Sequence, residues 1–348
     1  MPFPASTRTT ASARSTLRRW LLPVVVLPVV ATLAVLAYAW PAARIAPRDL
    51  PVGIVGTGQA SQRMVEHLTS AQPGAFDLHV YADMRAARSA VKDRDIYGAF
   101  DVTPQRVTVL EATAASATVA QSLDLAGKQT AARLAEPVAV QDVVATSADD
   151  PRGVVFSSAL LPLTICSILI GATVTVLGGG RSRWKALVAV AVASAVAGLG
   201  TYLVAQGLLG ALPHHGVATW AALSATVLSM SLTAAGLARV IGPAGAGVTA
   251  LVMVFIGNPF SAVTSAPSLL PTAVHHIGQA LPPGAGANLL RSTAYFDGHA
   301  AGGHVVVLAL WTLLGATTLF LGRRAAPVPA HAAREVRGAA EVRGRSAA

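Results

Sequence analysis

The sequence predicts an α-helical polytopic membrane protein with six transmembrane helices, one plus five, and a small extracytoplasmic α/β domain between helices 1 and 2. Three observations predict it. Only 12% of the residues are charged and 53% are hydrophobic, where a soluble domain carries about 25% charge. The charges are also segregated. Residues 20–43, 153–180, 186–238, 240–290 and 298–322 contain no Asp, Glu, Lys or Arg. A helix crosses the bilayer in about 20 apolar residues, so the first, second and fifth runs each fit one crossing, while the third and fourth must fold back. Finally, Lys and Arg gather where these runs meet, as the positive-inside rule requires.

The elements follow in order. The tail 1–19 carries Arg8, Arg14, Arg18 and Arg19 and no acid, which assigns it to the cytoplasm. The first span covers 20–40. A cleaved signal peptide is the competing reading, since Ala37-Tyr38-Ala39 has the small-x-small form. A signal's apolar region is about 7–15 residues and this one is longer, so the reading adopted is an uncleaved anchor, bent at Pro23 and Pro28. Residues 153–322 form the five-helix domain, with spans at 153–177, 186–209, 217–237, 244–259 and 303–321. Arg181, Arg183 and Lys185 follow the second span, Arg239 follows the fourth, and Arg323-Arg324 open a basic tail, 323–348, after the sixth. Six crossings put all these junctions on one side and both termini in the cytoplasm.

Residues 48–150 read as an extracytoplasmic α/β domain. Strand signals lie at Pro51-VGIVG, 76–81, Ile96-YGAFDV and Arg106-VTVLEA. Helical patterns cover 59–71, 83–93 (with Asp83 as N-cap) and 114–134. The order is β-α-β-α-β-β-α, with Thr103-Pro104-Gln105 as a hairpin turn. Formal net charge is +10, yet the stretch 41–152 holds eleven basic and thirteen acidic residues. No basic, aromatic-studded domain exists to hold nucleic acid, which excludes that class of partner.

The outer loop 261–301 is cut by Pro267, Pro271, Pro282 and Pro283. A short amphipathic helix is expected over 269–281 along the membrane surface, and a second over 288–296. Arg291 is the only base in this loop. It either reaches toward the interface or pairs with Asp297, or it contacts an anionic headgroup or substrate. Asn288, Arg291 and Tyr295 would share a helical face and line a pathway or dimer seam, and Asn258 near the top of the fifth span is a further pathway candidate. The pairs His214-His215 and His275-His276 are weak metal candidates, because adjacent helical residues diverge and no other ligand lies near in sequence. Cys166 is expected to be a small buried hydrophobe, and Ser194 with Gly198 to allow close helix approach. Gly53-Ile-Val-Gly56-Thr-Gly58 lacks dinucleotide spacing and reads as a tight strand-to-helix turn. There is no Walker A, H-E-x-x-H or G-x-S-x-G motif, so no enzyme activity and no cofactor are expected of this chain. No carboxylate falls within a span, which disfavours proton coupling.

Three stretches, LPVGIVGTGQASQRMVEHL, AARSAVKDRDIYGAFDV and LPPGAGANLLRSTAYFDG, resemble the ABC-2 type membrane transporter family, in its YhgE/Pip (phage infection protein) branch. The resemblance covers most of residues 18–324. It implies a permease-like subunit in a bacterial cell membrane, exporting a lipid-like, peptide or drug-like compound. A homodimer and a separate cytoplasmic ABC ATPase would be its partners, beside the lipid bilayer. The segment 1–19 lacks the apolar face of a coupling helix, a departure from the best-studied members. The alternative is a non-transporting receptor or scaffold whose outer domain binds an envelope component.

Overall fold

A computed structural model describes residues 22–177, 182–213 and 216–322. The tails 1–19 and 323–348, Arg181, and the pair His214-His215 lie outside the described residues. Six helices are long and apolar enough to cross a membrane: Val24–Ala42, Ser157–Val176, Arg183–Leu208, Gly216–Ile241, Pro243–Phe260 and Gly302–Leu321. One precedes a five-stranded sheet and five follow it.

The first span is a π-helical turn, Leu22–Val26, running into α1, Leu27–Ala42. Then come β1 (Leu50–Val55), α2 (Gln59–Ala71), β2 (Phe76–Tyr81), α3 (Met84–Lys92), β3 (Gly98–Thr103), β4 (Arg106–Glu111), α4 (Ala117–Leu134) and β5 (Val138–Asp142). The sheet order is β2-β1-β3-β4-β5, parallel except for the β3–β4 hairpin. Local chemistry sets the helix starts. Asp83 Oδ1 accepts from Ala86 N–H at 2.8 Å, and Ser116 Oγ accepts from Val119 N–H at 3.3 Å, each satisfying an orphan donor of the first turn. Gly56 takes φ +78° in the turn from β1 into α2, a conformation that side chains disfavour. Two differences from expectation stand out. Residues 138–142 form a fifth strand that the expected order lacks; it pairs parallel with β4, closing a βαβ unit through α4. Residues 114–116 precede α4 and do not belong to it.

The sheet is covered on both faces. Met64 and Leu68 of α2 and Val119, Leu123 and Ala131 of α4 pack with Leu50, Val52, Phe100 and Val109. Ala87, Ala90 and Val91 of α3 pack with Ala99 and Leu110. Neither core is complete by itself. Ala266 and Leu269 enter the first and Phe296 the second, all three from the loop that joins the last two spans. The linker before β1 is tied to the same loop, with Ala46 N–H donating to Leu269 O at 3.0 Å and Arg48 N–H to Ser268 O at 3.1 Å.

The remaining helices are α5 (Val154–Leu177), α6 (Arg183–Tyr202), α7 (Gly216–Ile241), α8 (Pro243–Val252), α9 (Thr272–Gln279), α10 (Pro282–Tyr295) and α11 (Gly302–Leu321). α7 is the centre of the bundle. Its most apolar window is 72% buried against 6% for the first span, and it packs on α5, α6, α8, α10 and α11. Small residues make this possible. A Cβ on Gly198 would fall 2.8 Å from Ser224 N, and one on Gly171 would fall 2.1 Å from Ser231 O, so backbones meet directly. Cys166 is exposed, correcting the expected burial; it lies on an apolar groove between α5 and α6 with Leu163 and Ala197, and in a bilayer such a surface loses nothing by facing lipid.

Pro259 explains the top of the fifth span. A π turn, Met253–Gly257, precedes Asn258–Phe260. Pro259 has no N–H to offer a carbonyl one π turn earlier. Tyr38 OH donates to Val254 O at 2.9 Å, so a side chain satisfies the carbonyl that Pro259 leaves open, while Met253 O accepts from both the backbone N–H and, at 3.3 Å, the Nδ2 of Asn258.

Candidate functional site

The loop between the fifth and sixth spans differs from expectation in the way that builds the site. The helix expected over 269–281 is split: a 3₁₀ turn, Pro267–Leu269, ends before Pro271, and α9 covers only Thr272–Gln279. Pro282 and Pro283 do not break the chain. They open α10, where a missing N–H costs nothing because the first-turn donors have no helical partner. α10 therefore begins earlier than expected, and it is not a surface helix. Ala285 and Leu289 pack with Ala222 of α7 and Leu308 of α11, and a Cβ on Gly286 would lie 2.4 Å from Thr226 Cγ2.

On α10, Asn288 and Arg291 are buried, at 2% and 6% exposure. Arg291 Nη1 donates to Asn288 Oδ1 at 3.3 Å and its Nη2 to Val263 O at 3.1 Å. Arg291 thus turns inward and does not reach for the interface. A second arginine, Arg94, comes from the α/β domain. It sits just past α3 with φ +66°. Its Nη2 donates to Asn288 Oδ1 at 3.1 Å, its Nη1 to Asn288 O at 3.2 Å and to Ser292 Oγ. The guanidinium also lies over the Phe296 ring, 5.3 Å from its centroid, a favourable cation–π placement. Among the described residues Arg94 donates to no carboxylate. Asn288 is the hub, since its Nδ2 donates to Gln279 Oε1 at 2.7 Å and Gln279 Nε2 in turn to Ser261 O at 3.2 Å. Burial lowers both arginines, Arg94 in direction and Arg291 to about 10, where the Arg94 charge adds to the effect. Both remain cationic at neutral pH.

Arg291 and Tyr295 face a cleft of about 220 Å³ between the α/β domain and the start of α5. Its wall includes Thr113, Ser116, Arg152, Ser157, Thr264 and Ser265. Tyr295 OH donates to Ala211 O at 2.9 Å, and burial with the nearby Asp150 charge raises it to about 12, so it acts as a neutral donor. Asp150 does not line the cleft. Its two oxygens accept from Val154 and Val155 N–H at 2.7 and 2.9 Å, capping α5. Among the described residues no Asp or Glu lines the cleft, which makes it a cationic, hydroxyl-rich recess.

A second cavity of about 250 Å³ adjoins it, sharing Ser157, Val263, Thr264 and Ser265. Here the walls are Tyr38, Pro41, Ala42, Ile45, Leu160, Leu161 and Leu270, with Asn258 at the edge. Thr164 Oγ1 reaches Asn258 Oδ1 only at 3.5 Å, so Asn258 serves mainly the backbone of its own span. The four pathway candidates are therefore divided: Asn288 braces the two arginines, Arg291 and Tyr295 face the polar cleft, and Asn258 borders the apolar cavity. His275 and His276 project from α9 with ring centroids 5.0 Å apart, and burial lowers His275, with its neighbour His276 adding to the effect. Among the described residues no third His, Cys, Asp or Glu joins them.

Sequence reasoning found Arg291 because a lone base in an uncharged run is conspicuous. It missed Arg94, which sits among Asp93 and Asp95 and looks like ordinary surface charge. No protein-family model, no curated protein and no solved structure matches this chain.

Proposed function

We propose that the chain is the membrane, permease-like subunit of an ABC-2 type export system, moving an amphiphilic compound outward with a separate ATPase and as a homodimer. The observation that supports it is the cleft. A recess with Arg152 and Arg291 on its wall, and among the described residues no Asp or Glu, lies between the α/β domain and membrane-length helices, and the cavity adjoining it reaches a first span of which, among the described residues, only Pro41 is buried. A receptor's ligand surface would be expected on the free face of its domain. In this reading the α/β domain lies outside the cell and both termini inside. At the opposite end the turn at Gly242 joins α7 to α8, and an ATPase would engage that end.

Two experiments test the reading. In a Cys166→Ser background, Ser70→Cys on the exposed end of α2 should react with a membrane-impermeant maleimide on intact cells, and Ser182→Cys only after permeabilisation. Labelling of Ser182→Cys from outside overturns the orientation. In proteoliposomes with a candidate ABC ATPase, the chain should stimulate hydrolysis and move an amphiphile to the opposite leaflet. Neither effect with any candidate ATPase removes the permease assignment.

A further inference from the structure

The two adjoining cavities have complementary chemistry, and their order along the membrane normal matters. The polar one is formed by the α/β domain, the first turn of α5 and α10. The apolar one is formed by the domain-side end of the first span and α5. Tyr38, Ile45 and Leu161 on the apolar wall are 39%, 41% and 40% exposed, so this wall is only partly closed by the chain. Only Pro41 of α1 is buried, and α1 therefore covers the entrance loosely. Together the volumes, about 250 and 220 Å³, fall in the range of small-molecule sites, about 300–1,000 Å³.

We infer that these cavities form one binding site for an anionic phospholipid-like amphiphile, its phosphate-bearing head among Arg291, Arg152 and Tyr295 and part of an acyl chain between Tyr38, Leu160 and Leu161. The neck is Ser157, Thr264 and Ser265, shared by both cavities. Charge decides the head. Two guanidinium groups and several hydroxyls line it, and among the described residues no carboxylate does; behind the wall, Arg94 stands beside Arg291, while Asp142 accepts from Thr113 and Asp150 from Val154, so the two lining guanidiniums carry the argument. Guanidinium–phosphate contacts are charge-assisted and strong in a partly dry site. Oily walls open to the bilayer decide the tail. As a binding site this stands alone; as the identity of an exported cargo it rests on the permease reading.

Native mass spectrometry of the full chain in neutral detergent tests it. The probes are phosphatidylglycerol and phosphatidylcholine with identical acyl chains, and glycerol 3-phosphate as the head without chains. One phosphatidylglycerol should bind saturably, at least tenfold tighter than phosphatidylcholine, while glycerol 3-phosphate neither binds nor competes. Arg152→Gln, at an exposed position, should reduce that preference severalfold, and Arg291→Gln should abolish it. Ser157→Phe should block the neck and remove phosphatidylglycerol binding. Equal binding of the two lipids overturns the role of the head. Competition by glycerol 3-phosphate shows a plain anion site and overturns the role of the chain. Full binding by both Arg152→Gln and Ser157→Phe places the lipid elsewhere. No ATPase is present, so a failure of transport with intact binding leaves this site standing.

Discussion

Asn288 is the residue whose loss the junction should feel most. Its Oδ1 accepts from Arg94 Nη2 and Arg291 Nη1 at 3.1 and 3.3 Å, and its Nδ2 donates to Gln279 at 2.7 Å. Asn288→Ala removes one acceptor from each of two buried guanidinium groups. A hydrogen bond to a charged group contributes about 1.5–3 kcal/mol, and the two losses share one site, so about 3–5 kcal/mol is expected. Asn288→Asp is the counterpart. It keeps the acceptor, adds a negative charge between two positive ones, and sacrifices the Nδ2 donor to Gln279 Oε1 and, at 3.5 Å, to Gly284 O, so junction stability should stay within about 1 kcal/mol of the parent. Hydrogen exchange across residues 282–295 and 94–97, in lipid nanodiscs, measures both. The alanine variant should lose about two to three and a half decades of protection, at about 1.4 kcal/mol per decade. An alanine variant within about 0.5 kcal/mol of the parent, or an aspartate variant as damaged as the alanine one, would refute the two-arginine hub.

Other consequences follow from the same packing. Phe296→Ala, at 3% exposure beneath Arg94, should destabilise α3 and its flanks by about 3–5 kcal/mol, read as faster exchange over residues 84–97. Gly171→Ala should be destabilising by about 2 kcal/mol or more in a detergent unfolding titration, because its Cβ meets backbone of α7; Gly200→Ala, with open space around it, should be silent. Burial first, then Asp142 and Asp124, raise Glu111 from 4.5 to about 7, and its Oε2 has no hydrogen-bond partner among the described residues. A raised folded pKa means the folded state holds the extra proton between 4.5 and about 7, so this group's contribution is full at the acid end and is lost as pH rises through that window. Glu111→Gln should therefore stabilise β4 and α4 by about 1–2 kcal/mol near pH 8 and by nothing near pH 5, after allowing for its partial exposure. Equal exchange rates in variant and parent near pH 8 would remove the claim.

What could be read from the chain divides along a physical line. Features set by nearest neighbours were legible: Asp83 as a cap, the Thr103–Arg106 hairpin, and the small-residue contact at Gly198. Six apolar helices of spanning length were legible because each is a property of one continuous run. Features that depend on distant partners were not. β5 is a short edge strand whose alternation, Val138-Ala-Val-Gln, is weak until β4 and α4 require it; the need to close that βαβ unit was the available signal. Pro282 and Pro283 look like breakers in the sequence, although proline is equally at home in a first helical turn, and the packing of α10 on α7 distinguishes the two. Arg94 and Asn288 are 194 residues apart, and no local pattern announces that they meet.

The same long-range contacts divide the molecule mechanically. Ala266, Leu269 and Phe296 complete the cores of the α/β domain, Arg94 is anchored on α10, and α10 lies against α7. Ser147 Oγ also donates to Gly210 O at 2.6 Å, tying the domain to the α6–α7 connection. These pieces form one block, and a rigid rotation of the domain would have to pull apolar side chains out of its own core. α1 is different: Pro41 is its one buried residue among those described, and its side-chain hydrogen bond to the bundle lies near its domain-side end, where Tyr38 OH donates to Val254 O. Elements with few buried contacts open at the lowest free energy. The soft joint of this chain is therefore the first span, and it stands at the lipid-facing entrance of the cleft rather than between the α/β domain and the bundle.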